Sequence, residues 1–340
     1  MLHSTLDKVT HRVHLGIVDD SSVAFAAFAD IWLDRISPTL RPRTIERWEG
    51  IVELHLKPAF PGALRSITAA DAESYIARRK KPKACPACAV TKNANCTACR
   101  GTGEIPAAQP ATVNREINVL KHIMRRAVAW EVVGRNPFID AQGQVTSGLK
   151  PLREPSGRVR FLSSDEITAL LAACERVPYL RAFAVVALNS GMRRNEIIGL
   201  TRKSIDGKNL IATLDSTKNG ETRRVPLNSA AFAALSGLPT RLDGRPLFPF
   251  GPNQVSVAFQ RAVRRAGIDD FRLHDLRHTF ASYQAMAGVQ GRGLQALLGH
   301  RDSRMTMRYS HLSDGYLHAA VDSVVLGAAP APAARPAEAK

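Results

Sequence analysis

Four cysteines lie within fifteen residues, Cys85, Cys88, Cys96 and Cys99 in "CPACAVTKNANCTAC", and no other stretch constrains the local fold so tightly. Each C-x-x-C turn can present two thiolates to one tetrahedral ion, and a second turn seven residues on closes a four-sulfur site. The segment 83–104 is therefore expected to fold as a small finger around a metal, with zinc the ion this donor set favours. Four sulfurs leave no vacant position for water or substrate. No His or Glu lies between the cysteines, and no H-E-x-x-H occurs in the chain. The expected ion is structural, with no cofactor for catalysis.

The finger interrupts a run of amphipathic helices. Phe25, Phe28, Ile31 and Trp32 fall on one helical face. A second helix follows, with Thr44 as its expected N-cap and Pro58 as its stop. Thr68 is the expected cap of a third, with Glu73 in its first turns. Beyond the cysteines, Val113, Ile117, Leu120, Ile123, Met124 and Ala127 recur at three and four. This divides the chain into a flexible segment 1–21 and a helical domain 22–140 carrying the finger. A Gly-, Pro- and Ser-rich linker follows at 141–158, then a second domain at 159–326 and a low-complexity, disordered tail at 327–340. The second domain is mostly helical, with one hairpin turning at Asn219–Gly220. The expected fold class is mainly α with a small β-sheet (α+β). Two basic domains on a linker could close around a duplex.

Charge supports that picture. Lys plus Arg outnumber Asp plus Glu by 47 to 30, a net +17, which favours a polyanionic partner, double-stranded DNA first. Lys80, Lys81, Lys83, Lys92 and Arg100 flank the cysteines. They read equally well as phosphate contacts or as ordinary surface charge. No stretch approaches eighteen apolar residues and the N-terminus lacks a signal-peptide pattern, so the expectation is a cytoplasmic chain without a membrane partner. Cys174, in "ALLAACERV", reads as a buried core thiol.

Five pieces of the second domain bear on chemistry: Arg193 and Arg194 in "NSGMRRNEIIGL", Lys218 in "STKNGETRRVPL", His274 and Arg277 in "LHDLRHTFAS", His300 in "LLGH", and Tyr309 in "TMRYSHL". Singly, each has a plain structural reading. In order, they describe metal-free attack on a phosphodiester. A tyrosine oxygen can act as nucleophile and form a covalent intermediate. Two guanidiniums suit the charge building on the phosphate oxygens. Histidines can share protons near neutrality, and a lysine can protonate a leaving alkoxide.

These residues resemble the signature of the tyrosine recombinase (phage integrase) family. "SGMRRNEIIGL", "LHDLRHTFAS", "LLGH" and "MTMRYSHL" match it nearly letter for letter. "TIERWEGIVELHLKPAFPG" and "ATVNREINVLKHIMRRAVAWEVVGRNPF" look like its helical, SAM-like core-binding domain. The resemblance implies a catalytic domain in which Tyr309 joins the DNA 3′ end and frees a 5′ hydroxyl. Arg193 and Arg277 would clamp the phosphate, and Lys218 would act as general acid. His274 would assist proton transfer and His300 would hydrogen-bond the phosphate. Glu196 would orient the arginines, and Arg194 is left to the surface or the DNA backbone. The resemblance further implies integration or excision of a mobile element, a tetramer on DNA and an accessory directionality factor. An apolar stripe of Leu317, Ala320, Val321, Val324 and Val325 fits packing on its own domain; the resemblance implies docking on a neighbouring protomer instead. Two other functions fit parts of the pattern: a type IB topoisomerase-like enzyme, and a non-enzymatic zinc-stabilised DNA-binding protein. The finger is no usual part of the family's core-binding domain.

Overall fold

The computed structural model describes residues 23–88, 96, 99, 101–139, 144, 149–155, 158, 160–214, 222–239, 244–289 and 291–310. The chain divides into two compact units, Met1–Ser156 and Gly157–Lys340. Fold class is as expected, mainly helical with two small antiparallel sheets. Among the described residues, no helix is long and apolar enough to cross a membrane.

The first unit is built on four helices. Helix α1 (Phe25–Ile36) buries Phe25, Phe28, Ile31 and Trp32, the face its spacing predicts. Helix α2 (Pro42–Ile51) starts earlier than expected: Arg41 is its cap and Pro42 opens it, so Thr44 lies inside the first turn. Proline suits that position, because its fixed φ is helical and its missing N–H would have no partner there. The helix runs on through a π turn at Val52–Leu56 and ends at Ala59, just past Pro58. Helix α3 (Ala69–Arg79) is capped by Thr68 as expected. Asp71, not Glu73, completes the capping box: its carboxylate accepts from the Thr68 N–H at 2.9 Å. Helix α4 (Pro110–Ala129) buries Val113, Ile117, Leu120, Ile123, Met124 and Ala127.

Between α3 and α4, strands β1 (Lys83–Ala84) and β2 (Glu104–Ile105) pair antiparallel and form the stem of the finger. Below that stem, Glu116 of α4 is 1% exposed. A carboxylate that deep needs charged or hydrogen-bonded partners. It has three donors: Arg79 Nε at 2.8 Å, Arg79 Nη2 at 2.5 Å and the Tyr75 hydroxyl at 2.7 Å. Arg79 is the last residue of α3, and its carbonyl accepts the Ala108 N–H at 2.9 Å. The finger thus stands on a helix pair fixed by one buried ion pair.

The second unit begins with α5 (Ser164–Cys174), α6 (Leu180–Ser190) and the short α7 (Arg194–Ile198). A three-stranded antiparallel sheet follows: β3 (Ile205–Asp206), β4 (Ile211–Leu214) and β5 (Arg223–Pro226), with Ala212 opposite Val225 and Leu214 opposite Arg223. Lys218 and the Asn219–Gly220 turn, between β4 and β5, lie outside the described residues. Next come α8 (Ser229–Ser236), α9 (Pro252–Arg265), α10 (Asp275–Met286), α11 (Gly291–Leu298) and α12 (Arg304–Met307). Helices α8 and α10 pack on α6, and α9 packs on α5. Leu170, Phe183, Val225, Phe259 and Leu276 fill the core between them. Cys174 is fully buried, and burial pushes its thiol up to about 11, as befits a core thiol. The apolar stripe at 317–325 lies outside the described residues.

Candidate active site

The site is assembled at two chain breaks. The first is Gly191, which ends α6 with φ +61°. A side chain here would be strained in φ and would also strike the Phe280 ring, 2.4 Å from the position of a Cβ. The turn delivers Arg193, the residue just before α7. Glu196, one turn on, holds it twice: one carboxylate oxygen accepts from the Arg193 N–H at 2.8 Å and the other from Nη1 at 2.8 Å.

The second break is the end of α11. The last carbonyls of a helix lack partners within it and carry the negative end of its dipole. Here three consecutive carbonyls each accept from a different arginine. Leu297 O accepts from Arg223 Nη2, Leu298 O from Arg277 Nη2 at 2.5 Å, and Gly299 O from Arg193 Nη2 at 3.1 Å. Arg277 Nη1 reaches the other break, donating to Gly191 O at 2.6 Å. Arg223 also pairs with Glu196 at 3.2 Å. Gly299 has φ +61°, and a Cβ there would lie 2.5 Å from Arg223 Nε, so the arginine occupies the space a side chain would need. The "LLGH" stretch is therefore the scaffold of an arginine cluster.

The charges follow from this packing. Arg277 is 3% exposed, whereas 41% of the Arg193 side chain is open to solvent. Burial, then repulsion from Arg193, lowers Arg277 to about 9, still protonated at neutral pH. His300 follows Gly299, is buried, and has Nδ1 3.0 Å from Thr306 Oγ1. Burial and the Arg277 and Arg193 charges hold it near 4, so it is neutral at pH 7. His274, just before α10, lies at the rim of a cavity of about 290 Å³ that Arg193, Arg194 and Arg277 also line. The protein packed around its base and the Arg277 charge lower its pKa. Arg194 is tied there by a 2.8 Å hydrogen bond to Ser256 Oγ.

Tyr309 is 2% exposed and packs with Phe280, Leu294 and Leu298. It lines a second cavity, about 660 Å³, with Ala285, Leu294, Thr306 and Met307. Burial raises its phenol pKa, while Arg308 and Arg277 pull it down. Its hydroxyl meets Nδ1 of His278 at 2.5 Å.

Of the residues expected from the sequence, Arg193, Glu196 and Arg277 are joined through direct bonds and the α11 terminus. His300 adjoins them, and Tyr309 is bonded to His278, whose ring meets that of His274. Sequence reasoning passed over Arg223 and His278. Arg223 is the first residue of β5, where a basic residue looks like strand surface. His278 is adjacent to Arg277, so helical geometry turns it to a different face. The arrangement offers a small cavity into which Arg193, Arg194 and Arg277 bring positive charge, suited to a phosphate anion.

In the first unit, the four cysteine sulfurs lie within 4.8 Å of one another. Cys85 and Cys96 sulfurs are 3.7 Å apart, and those of Cys88 and Cys99 are 3.3 Å apart. A tetrahedral zinc with bonds of about 2.3 Å sets its sulfurs roughly 3.8 Å apart, so this donor set fits such an ion.

Comparison with known proteins agrees. Residues 160–315 match the phage integrase family, and residues 24–78 match the family's N-terminal SAM-like domain. The integrase of Salmonella phage P22 is 30% identical over 245 residues, covering 65% of this chain and 60% of that protein. The integrase of Escherichia phage 186 is 32% identical over 228 residues, covering 65% and 62%. The chain thus spans about 60% of the length of these curated relatives. Among solved structures, the integrase of transposon Tn1549 in complex with a circular-intermediate DNA superposes with a TM-score of 0.63, at 18% identity over 89% of this chain and 99% of that one. A lambda integrase dimer bound to a COC′ core site gives 0.60, at 16% identity over 83% and 97%. At such identities these two speak for the fold. With both family domains matched in order and the arginine cluster in place, the chain belongs to the phage integrase, or tyrosine recombinase, family.

Proposed function

We propose that this chain is a site-specific DNA recombinase that cleaves and rejoins strands through a 3′-phosphotyrosyl intermediate, in the integration or excision of a mobile element. One observation carries the reading: three arginine side chains converge on successive carbonyls at the end of α11, next to His300, and Tyr309 packs in the same apolar cluster as Leu298. Fixed cations of this kind stabilise the charge that builds on phosphate oxygens without reorganising during the reaction. Arg193 and Arg277 hold the scissile phosphate, with Glu196 keeping Arg193 in register. His300, neutral and buried, donates a hydrogen bond to the phosphate, and His274 sits at the rim where it enters. Lys218 is the general acid for the leaving 5′ oxygen. Tyr309 attacks, and the phosphotyrosyl bond conserves the energy needed for rejoining, so no nucleotide or catalytic metal enters.

The cysteine cluster holds a structural zinc. Its stem presents exposed Lys81 and Lys83, which favour contact with the DNA backbone. The finger adds affinity and no chemistry. Four protomers act on two duplexes. The apolar cavity beside Tyr309 is the seat for residues 315–340 of a neighbouring protomer, and a directionality factor biases the outcome. Deletion of 315–340 then spares DNA binding and abolishes strand exchange; a truncated chain that recombines normally contradicts the docking on a neighbour.

The functional test is sequencing of the DNA that becomes linked to the protein in host genomic fragments. A recombinase yields one recurring sequence with free 5′ hydroxyl ends. Linked ends scattered without a common sequence would instead point to a topoisomerase-like activity.

A further inference from the structure

The Tyr309 hydroxyl has a specific partner, and it is none of the histidines the sequence motifs single out. Nδ1 of His278 stands 2.5 Å from Tyr309 Oη, with ring centroids 5.9 Å apart. Tyr309 is 2% exposed and His278 is mostly enclosed, so water competes weakly for this contact. His274 stacks edge-on against the other side of His278 at 5.2 Å.

We infer that His278 is the catalytic base of the cleavage step and takes the proton of the Tyr309 hydroxyl as the tyrosine attacks phosphorus. This rests on Tyr309 being the nucleophile. The step balances as follows. The Tyr309 Oη–P bond forms and the P–O5′ bond breaks. The phenolic proton passes to His278 Nδ1, giving an imidazolium. The leaving 5′ oxygen takes a proton from Lys218. In rejoining, the 5′ hydroxyl returns its proton to Lys218, and His278 reprotonates the tyrosine oxygen.

Three observations support the assignment. The contact has the geometry that proton transfer requires. His278 is neutral at pH 7: burial, then His274, with Arg308 and Arg277 adding and Asp275 opposing, bring it down to about 4. With Nε2 carrying the hydrogen, the Nδ1 lone pair is free to accept. A base that weak gains strength when it is needed. The scissile phosphate is an anion, and its arrival beside Arg277 offsets the part of the shift that comes from neighbouring positive charge, leaving the part due to burial. His274 lies at the rim of the arginine-lined cavity and is left to the phosphate.

The same contact has a rival meaning, a latch that holds Tyr309 away from the phosphate. Rate separates the two. Single-turnover formation of protein–DNA adducts is followed on a duplex carrying the site mapped from wild-type adducts, using full-length wild type, His278→Gln, His278→Ala and Tyr309→Phe. We expect His278→Gln to cleave about 10²-fold more slowly, with DNA affinity within about twofold of wild type. Imidazole is expected to restore part of the rate to His278→Ala, which also covers the case in which the glutamine variant does not fold. A wild-type rate in folded His278→Gln, a faster rate, or a loss in His278→Ala that imidazole leaves untouched would each overturn the assignment. If wild type itself forms no adduct, or Tyr309→Phe still forms one, the nucleophile reading fails instead.

Discussion

The finger and the arginine cluster are both small polar centres built around buried side chains, yet the chain builds them in opposite ways. The finger draws four like ligands from Cys85 to Cys99 and closes them over a two-residue stem. The cluster draws Arg193, Arg223, Arg277 and His300 from four different elements, holding the arginines by carbonyls at two helix ends and the histidine by Thr306. A local centre depends on its ion and leaves the rest of the fold indifferent. A dispersed centre depends on every element that delivers a residue, so its chemistry and the stability of its domain are coupled. Loss of the ion should therefore cost binding alone, and loss of an arginine should cost catalysis and packing together.

The sharpest break of this comparison is Arg277→Lys. Lysine keeps the charge but cannot span Gly191 O and Leu298 O while facing a phosphate. Single-turnover cleavage is expected to fall about 10²- to 10³-fold, with DNA affinity changed only a few-fold. A loss below tenfold would mean that the bidentate geometry does not matter.

Acid should act on the second unit. His278 and His300 are both held near 4, below the 6.5 of an unperturbed histidine. Groups depressed in the folded state stabilise it fully above the unfolded pKa, and that stability is lost as pH falls through the folded pKa. Between pH 6.5 and about 4 the two contribute a loss of up to roughly 3 kcal/mol apiece. Urea midpoints at pH 7 and pH 4.5 measure it, and a flat profile would contradict the burial of neutral imidazoles.

Gly191→Ala tests the scaffold without touching a charge. Strain at φ +61° and collision with the Phe280 ring should cost on the order of 1–3 kcal/mol. The thermal midpoint should drop by roughly 5 °C. An unchanged midpoint would mean that Phe280 moves freely.

The smallest effect belongs to the finger. Cys85→Ser with Cys88→Ser should weaken DNA binding roughly threefold to tenfold and flatten its salt dependence by about one ion. The midpoint of the second unit should not move. Unchanged affinity in a folded protein would reduce the finger to a stapled loop.

The same contrast explains what could be read in advance. The finger was legible because spacing alone states its chemistry: two C-x-x-C turns have little else to do. The helical faces were legible because Phe25, Phe28, Trp32 and the α4 stripe repeat at three and four. That the Arg193–Glu196 turn and Arg277 would meet was not legible in any spacing, since they come from separate elements; only the order of the motifs and the family resemblance pointed to them. Arg223 and His278 escaped because their roles exist only in three dimensions. Arg223 matters through the bare Gly299 and the carbonyl of Leu297, and His278 through a tyrosine thirty-one residues away. Thr44 was misplaced as a cap because Pro42 begins the helix by a different device, its preset φ.

If Tyr309 carries the chemistry and the cysteine finger takes no part in it, one experiment can show both. The most direct test is covalent trapping: wild type and Tyr309→Phe are incubated with host DNA fragments, with and without chelator, and stopped with SDS. The account predicts protein-linked DNA with wild type in both conditions and none with Tyr309→Phe. Adducts that survive Tyr309→Phe, or that vanish with chelator while DNA binding persists, would contradict it.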